Sequence, residues 1–206
     1  AIKAIEVGID TVAELKEKGY NVFATGEMGI GNTTTSSAVC SVLLDQSVEK
    51  VTGKGAGLTN KDLEHKIEVI KQSIALNQVD ANDPIDVLSK VGGLDIAGMV
   101  GCYIGGAALQ VPVFIDGFIS SVAALIAIRL IPECAPYLFP SHCSNEPAGH
   151  LILDAIGKEP YILANMCLGE GTGAVMGFTI ADYAFKAYWE LPSFEQTNFG
   201  TYEELN

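Results

Sequence analysis

The sequence predicts an α/β protein with a Rossmann-like parallel sheet and helices on both faces. Short apolar runs alternate with longer segments in which apolar residues recur at helical spacing, as in folds that alternate strands and helices. Several of the short runs end in glycine-rich or polar turns, which are typical strand ends. Hydrophobic residues make up 49% of the 206 residues, enough for one domain over residues 1–206 to bury a sizeable core.

The first half of the chain contains one predicted strand among several helices. Ile5 and Val12 lie among charged residues at a spacing that favours a helix packed on a sheet, and Gly19 ends it. Asp83 and Pro84 are residue types that start helices. The expected elements are a helix over 1–18, a strand over 21–25, a capped helix from Asn32 to about Leu44, a helix from Thr59 or Asn60 to about Asn77, and a helix from Asp83 to Gly92.

The second half alternates strands and helices more regularly. Val111 to Ile115 is short and fully apolar, as a buried strand is, and the small residues before it allow a helix to pack closely on a neighbour. The expected elements are a helix capped by Asp95, strands over 111–115 and 137–139, helices over 118–130 and about 146–156, a further strand over 162–168, a helix from Ala174 to about Trp189, and a polar and aromatic tail over 190–206.

The charge of the chain argues against two classes of partner. Twelve basic residues oppose 25 acidic ones, for a net charge of −13, and no cluster of lysines or arginines interrupts the deficit. We therefore expect no nucleic acid and no membrane surface as partner. A small anionic ligand is compatible with this charge, because a local group of backbone N–H donors and one lysine can outweigh a distant acidic surface.

The cysteines predict a reducing compartment. There are five, scattered and mostly within apolar segments. An odd set without a regular spacing indicates reduced thiols in a cytoplasmic protein and not a disulfide framework. His142 and Cys143 are neighbours, but no CxxC or HxxxH spacing supports a zinc site, so we expect no metal.

The segment from Gly26 to Ser37 is the most informative local pattern. A short apolar run stops at a glycine-rich turn, and a helical segment follows behind Asn32 and three threonines. Glycines let a backbone approach a ligand closely, and the N–H groups at a helix start favour phosphate. The spacing matches neither a nucleotide-triphosphate P-loop nor a dinucleotide fingerprint. A plain strand-to-helix turn is the alternative, in which Glu27 only caps its helix.

Four such turns follow predicted strands. They are Gly26–Asn32, Asp116-Gly117, Ser141–Asn145 and Gly169–Gly173. Because ligands bind beyond the carboxyl ends of parallel strands, we expect a site at this edge of the sheet.

A second flexible loop lies at Gly53–Gly57. Lys66 lies among Glu64, His65 and Glu68 on a predicted helix, and this pattern alone favours a solvated face with weak ion pairs.

Taken together, these segments resemble the nicotinate-nucleotide:dimethylbenzimidazole phosphoribosyltransferase family of cobalamin biosynthesis. The matching segments are GEMGIGNTTTSSA from Gly26, HKIEVI around Lys66, GGLDIAGM from Gly92, VFIDGF from Val113, SHCSNEPAGH from Ser141 and LGEGTGA from Leu168. They lie in this order, at compatible spacing, over about residues 22–175, and the set is specific although each motif alone is not.

The resemblance implies a nucleotide site. The family moves phosphoribose from nicotinate mononucleotide to dimethylbenzimidazole, which gives α-ribazole phosphate and nicotinate. The phosphate would lie on the Gly29 loop and on the Gly55-Ala56 loop, with Lys66 as counter-charge in place of the solvated face. Asp116 and Gly117 would border the ribose. The nicotinate carboxylate would contact Ser144 and N–H groups near Gly173. The other implied nucleotide-binding residues are Gly31, Asn32, Thr33, Leu168 and Gly169.

The resemblance also implies two catalytic glutamates. Glu170 matches the family's general base, which takes the N–H proton of the benzimidazole, and Glu27 matches a second glutamate close by. Breaking the glycosidic bond develops oxocarbenium charge that a carboxylate stabilises, while the attacking azole must lose a proton. Apolar surroundings that raise one carboxyl pKa would make that group the base. No cofactor is implied.

The sequence departs from the family in its length. Family members carry a substantial segment before the point that matches Ala1, and this segment supplies much of the apolar wall around the acceptor base.

The alternatives to the family's reaction are a non-catalytic nucleotide-binding subunit, a truncated homologue, or the same chemistry with another azole, a purine or a phenol. The expected partners are a second copy in a homodimer or a chain carrying the missing N-terminal segment. A second departure is Cys167, where relatives often have arginine.

Overall fold

A small parallel sheet positions the loops of the candidate site. The structure is a computed structural model that describes residues 1–55 and 57–197. Its strands are β1 (Phe23–Ala24), β2 (Val113–Ile115) and β3 (Leu138–Pro140), in the order β1-β2-β3. Phe23 pairs with Val113, and Val113 with Leu138, in parallel register. The predicted parallel α/β fold is confirmed.

Helices make up most of the remaining structure. They are α1 (Ile2–Glu17), α2 (Asn32–Leu44), α3 (Val48–Val51), α4 (Asn60–Asn77), α5 (Pro84–Val91), α6 (Leu94–Ala108), α7 (Phe118–Leu130), α8 (Gly149–Ala155) and α9 (Thr172–Glu190). Short 3-10 helices lie at Pro132–Tyr137 and Phe194–Gln196. Of the predicted tail, residues 190–197 belong to this described part, and 198–206 lie outside it.

Helices cover both faces of the sheet. Successive strand residues point to opposite faces, and β2 shows this at its two neighbours Val113 and Phe114. Val113 lies against Gly106 of α6, where a side chain in place of the glycine hydrogen would overlap it. Phe114 points the other way and meets Phe178 of α9 edge-to-face, with ring centroids 4.8 Å apart. On the same side of the sheet as Val113, helix α7 is buried from Phe118 to Ala127.

Helices α1 and α6 pack main chain against main chain. A side chain on Gly8 would overlap the carbonyl oxygen of Gly98, and one on Gly101 would overlap that of Ile5. The absence of a Cβ therefore sets this contact, as expected when glycines face each other across two helices. The predicted close packing of α6 is confirmed, and its partner is α1 of the same chain.

Two helix starts agree with the sequence and two differ from it. Thr59 forms a capping box with Asp62, and the Asp83 carboxylate accepts the N–H of Ile85 and Asp86. The predicted caps at Asn32 and Asp95 are wrong. Gly31 and Gly93 precede these helices without a side-chain cap, because Asn32 and Asp95 already lie in the first turn and hydrogen-bond to each other.

The predicted strand over 162–168 is wrong. Within the described residues it forms one isolated parallel bridge, between Ile162 and His142. Asn165 has a φ of +50°, which interrupts the extended backbone that continued pairing requires.

The helix expected from about Glu146 begins only at Gly149, so Glu146 lies in the preceding loop. None of the helices within the described ranges is both long and apolar enough to cross a bilayer.

Candidate active site

The loop from Gly26 to Thr33 is held together by Glu27. Its carboxylate accepts a hydrogen bond from the backbone N–H of Gly29 at 2.5 Å and another from Asn32 Nδ2 at 2.9 Å. Gly29 and Gly31 have φ of +77° and +78°, a region in which other residues are strained, so the turn needs glycine at both places. Glu27 is therefore a structural element of the loop as well as a candidate for catalysis.

The electrostatic surroundings of Glu27 favour its protonated form. Partial burial, followed by repulsion from Asp116 and Asp95, raises the pKa of Glu27, although the bonds from Asn32 and Gly29 oppose this. Asn32 Nδ2 also donates to Asp95 at 2.8 Å, and among the described residues the buried Asn32 Oδ1 has no hydrogen-bond partner. A free buried acceptor beside a carboxylate indicates a place where a ligand donor can bind.

Lys66 is buried and does not lie on a solvated face. Its side chain is 7% exposed, and Nζ donates to Thr33 Oγ1 and to the Gly53 carbonyl oxygen, both at 3.0 Å. Burial lowers the pKa of Lys66, and attraction to Glu146 opposes this effect. The interpretation from local charge pattern alone is thus wrong. Lys66 joins α4 to the first turn of α2 and to the loop around Gly53.

Gly55 of this second loop lies on the start of α2. A side chain on Gly55 would come within 2.9 Å of Thr33 Oγ1, and Gly55 has a φ of +55°. Gly53 is buried. The structure thus brings Gly55, Thr33 and Lys66 together, while Ala56, which the resemblance also implies, lies outside the described residues.

Asp116 ties the end of β2 to the loop before α9. The side chain is completely buried, and its carboxylate accepts the N–H of Gly171 at 3.0 Å, of Gly173 at 2.8 Å and of Ala174 at 3.1 Å. A carboxylate at a helix N-terminus is favourable because it satisfies free N–H groups and the helix dipole. The N–H of Gly173 is consequently occupied by Asp116 in this structure.

Two glycines bring the loop of Glu170 against the loop of Glu27. A side chain on Gly26 would lie 2.6 Å from the amide nitrogen of Gly171, and one on Gly169 would lie 3.3 Å from Glu27 Oε1. Glu170 itself is exposed and has a φ of +56°. A left-handed conformation at a residue other than glycine costs energy and occurs at functional sites as well as at helix ends such as Asp45 and Gln78.

His142 lies in the predicted turn Ser141–Asn145, although its sequence suggested no individual role apart from the excluded zinc site. It is 2% exposed, and its Nδ1 lies 3.0 Å from Ser141 Oγ, which also reaches the Ile115 carbonyl oxygen at 2.7 Å. Burial lowers the pKa of His142, so the ring is neutral near pH 7. A side chain on Gly173 would overlap this ring. The signal available in the sequence was the position of His142 two residues after β3.

Gly117 and Ser144 lie next to His142. A side chain on Gly117 would come 3.6 Å from His142 Nε2 and 4.0 Å from the Ser144 Cβ. Ser144 Oγ accepts the N–H of Glu146 at 3.3 Å. Leu168, in contrast, is 67% exposed at the outer side of the loop before α9. The polar end of β3 and the end of β2 therefore share one surface with the loop of Gly173.

An apolar cleft of about 460 Å³ opens beside Glu27. It lies between α1, the glycine loop and α6, and its polar residues include Glu27, Asn32 and Asp95. Its apolar side includes Val7, Met28, Met99 and Cys102. Neither Lys66 nor Glu170 lines this cleft. Such a cleft can hold a flat apolar group with a carboxylate at its edge.

A larger apolar groove of about 780 Å³ lies elsewhere, between the sheet face of Phe114 and Phe139 and helix α9. Over residues 1–55 and 57–197, no three His, Cys, Asp or Glu side chains form a group that could hold a metal ion.

Comparison with known proteins assigns the family. A family model described as "Phosphoribosyltransferase" matches residues 1–199. A relative from Ruminiclostridium cellulolyticum, named nicotinate-nucleotide–dimethylbenzimidazole phosphoribosyltransferase, is 54% identical over 205 residues. The chain belongs to this phosphoribosyltransferase family. A second family member, from Clostridium acetobutylicum and with the same name, is 49% identical over 205 residues.

The chain spans only part of its family relatives. It is covered completely by the R. cellulolyticum and C. acetobutylicum proteins, yet it covers 58% of each of them. The solved structure of the family member CobT from Thermus thermophilus has a TM-score of 0.88 and 30% identity, over 94% of this chain and 57% of that one. The family membership drawn from the six motifs is confirmed, as is the α/β fold.

Proposed function

We propose that this chain provides the nucleotide-binding part of an enzyme that moves phosphoribose from nicotinate mononucleotide to dimethylbenzimidazole. The products would be α-ribazole phosphate and nicotinate. The observation that carries the proposal is the contact of Gly26 with Gly171, because it brings the loops of Glu27 and Glu170 together at the carboxyl end of the sheet. The family and the names of its members support the choice of substrates.

The phosphate would bind where the two glycine loops meet the first turn of α2. Lys66 supplies a buried positive charge there, and Thr33 supplies a hydroxyl 3.0 Å from Nζ. Charge-assisted contacts to phosphate are strong, and a buried ammonium gains more from an anion than an exposed one does. Gly29, Gly31, Gly55 and Ala56 would let the backbone approach the phosphate oxygens.

The remainder of the nucleotide would lie toward the loops after β2 and β3. We place the ribose beside Gly117 and Asp116, and the nicotinate carboxylate near Ser144 and the loop of Gly173. Because Asp116 holds the N–H of Gly173, its main contribution is to fix this loop. The side-chain hydroxyl of Ser144 is then the more accessible donor for the carboxylate.

The two glutamates would divide the chemistry. We assign Glu170 as the base that removes the proton from the attacking nitrogen, and Glu27 as the carboxylate that stabilises positive charge on the anomeric carbon. One observation favours the opposite assignment, in which Glu27 is the base. Burial raises the pKa of Glu27, whereas Glu170 is exposed. The pH dependence described in the Discussion distinguishes the two assignments.

A nicotinate-release assay tests the proposal. The full chain is incubated with nicotinate mononucleotide and dimethylbenzimidazole, and nicotinate and the new nucleotide are separated by chromatography. Catalysis is supported if nicotinate release needs both substrates, is lost in Glu170→Gln and is retained in the surface variant Glu159→Gln. Binding of the mononucleotide without release would instead support the alternative of a non-catalytic nucleotide-binding subunit.

The acceptor base and the assembly are proposals of the same kind. A parallel assay with a purine and a phenol in place of dimethylbenzimidazole determines the acceptor class. We propose a cytoplasmic homodimer, or association with the segment that the longer relatives carry, and one nucleotide-binding domain over residues 1–206. Helix α9 supports such an association, because Tyr183, Tyr188 and Trp189 on it are each at least 67% exposed.

A further inference from the structure

Glu146 lies against the loop proposed to bind phosphate. A side chain on the buried Gly53 would overlap its Oε2 atom, so the carboxylate rests directly on the backbone of that loop. The backbone of Gly55 also stabilises the charged form of this carboxylate. Glu146 thus approaches the loop that would bind the phosphate, although it belongs to the loop between β3 and α8, which is distant in sequence.

Lys66 approaches the same loop from α4. Its Nζ donates to the Gly53 carbonyl oxygen, and within the described residues it forms no ion pair within 4.0 Å. The charges of Lys66 and Glu146 nevertheless attract each other. The free protein therefore places one buried cation and one partly buried carboxylate around Gly53 and Gly55.

A phosphate bound here would add negative charge beside a carboxylate. Like charges in a partly buried site cannot both stay ionised without a cost, and protonation of one is the usual response. Burial already raises the pKa of Glu146, against the attraction of Lys66 and the effect of the Gly55 backbone. Among the ionisable groups nearby in sequence, Lys54 in the loop and His150 on α8 are exposed, whereas His142 and Cys143 are buried.

We propose that Glu146 couples anion binding to proton uptake, its carboxylate taking one proton from solvent when a phosphate group binds beside Lys66. The proposal rests on the phosphate site of the proposed function. Protonation removes the repulsion between the carboxylate and the bound anion. Binding of the nucleotide is then tighter at lower pH, and Glu146 sets this dependence although it is not a catalytic residue.

Calorimetric titration of the full chain with inorganic sulfate tests the proposal independently of the reaction. Sulfate stays fully ionised near neutral pH, so any proton taken up must bind to the protein. Titrations in two buffers with different heats of ionisation measure this uptake. We expect uptake of up to about one proton, and a Kd that rises by at most about tenfold per pH unit as the pH increases.

Two variants localise the effect. Glu146→Gln should remove the proton uptake and flatten the pH dependence, whereas Glu64→Gln, which removes an exposed charge from the helix of Lys66, should keep both. Absence of proton uptake in the unmodified chain, or an unchanged pH dependence in Glu146→Gln, would overturn the proposal, as would failure of sulfate to bind. The first measurement needs no variant, so it decides even if Glu146→Gln does not fold.

Titration with nicotinate mononucleotide separates this inference from the proposed function. If sulfate binds with proton uptake and the mononucleotide does not bind, the function is wrong and the role of Glu146 stands. If both bind without proton uptake, the role of Glu146 is wrong and the function stands.

Discussion

The backbone of Gly26 lies against the backbone of Gly171, so closely that a Cβ on Gly26 would come 2.6 Å from the Gly171 amide nitrogen. The first residue belongs to the loop after β1 and the second to the loop before α9. Their contact brings the backbone next to Glu27 against the backbone next to Glu170. The approach of the two loops that carry the proposed catalytic carboxylates thus depends on the absence of a side chain at Gly26.

We expect Gly26→Ala to destabilise the protein by about 1–3 kcal/mol, because the new methyl group forces one of the two loops to move. Thermal unfolding measures the loss, and the nicotinate assay should show reduced turnover in the folded fraction. Gly98→Ala is the matched control: it lies in α6 with nothing within 4 Å of the added carbon, so it should stabilise by up to about 1 kcal/mol. Equal stability of the two variants would contradict the contact.

Glu170→Gln should abolish most turnover while nicotinate mononucleotide still binds. Glutamine has nearly the same shape but cannot accept a proton at neutral pH, so a base is lost and ligand contacts remain. Binding is measured by calorimetry and turnover by nicotinate release. Turnover close to that of the unmodified chain would show that another group is the base.

The pH profile of kcat/KM reports on Glu27. Burial raises its pKa, so if the reaction needs its ionised carboxylate, activity is lost as the pH falls through a value above the ordinary range of glutamate. We expect this acidic limb in the unmodified chain and its disappearance in the residual activity of Glu27→Gln. A limb that survives in Glu27→Gln and disappears in Glu170→Gln would assign the titration to Glu170.

Lys66→Ala should raise the KM for nicotinate mononucleotide by about one to two orders of magnitude, the scale of a lost charge-assisted contact. The exposed Lys61 on the same helix provides the control, and Lys61→Ala should leave KM unchanged. Circular dichroism checks that both variants are folded. An unaltered KM in folded Lys66→Ala would mean that the phosphate binds elsewhere.

Asp116→Asn should cost about 2–3 kcal/mol of unfolding free energy, because a charged acceptor of three backbone N–H groups is replaced by a neutral amide. Urea unfolding measures the change. Asp10→Asn, at an exposed position of α1, should have little effect. If both variants unfold at the same urea concentration, Asp116 does not anchor the loop before α9.

The sequence predicts the parts of this fold that depend on local pattern. The three strands and the helices near them follow from apolar runs and glycine turns. The strand expected over 162–168 fails because its pattern gives no sign that Asn165 adopts a left-handed backbone. The wrong prediction of caps at Asn32 and Asp95 has a similar cause, since their mutual hydrogen bond joins residues 63 positions apart.

In the candidate site, too, local pattern predicts some features, whereas others depend on residues distant in sequence. Local charge pattern placed Lys66 in solvent, yet Lys66 lies one helical turn before the buried Ile70 and so shares its face. The spacing of Lys66 and Ile70 was therefore a signal of burial in the sequence. The resemblance to the family corrected the prediction of a solvated Lys66, because it assigned this residue to the phosphate. The burial of His142 was not predictable, because it depends on Gly173 leaving room for the ring.

The direct contact of α1 with α6 has a consequence for the cleft beside Glu27. Both helices line the cleft beside Glu27, and neither can slide past the other without their main chains colliding. The separation of the two helical walls is consequently fixed where their main chains touch, whereas the flexible side chains of Met28 and Met99 shape the opening itself. A flat group that entered this cleft would thus meet one unyielding dimension and one that can adapt.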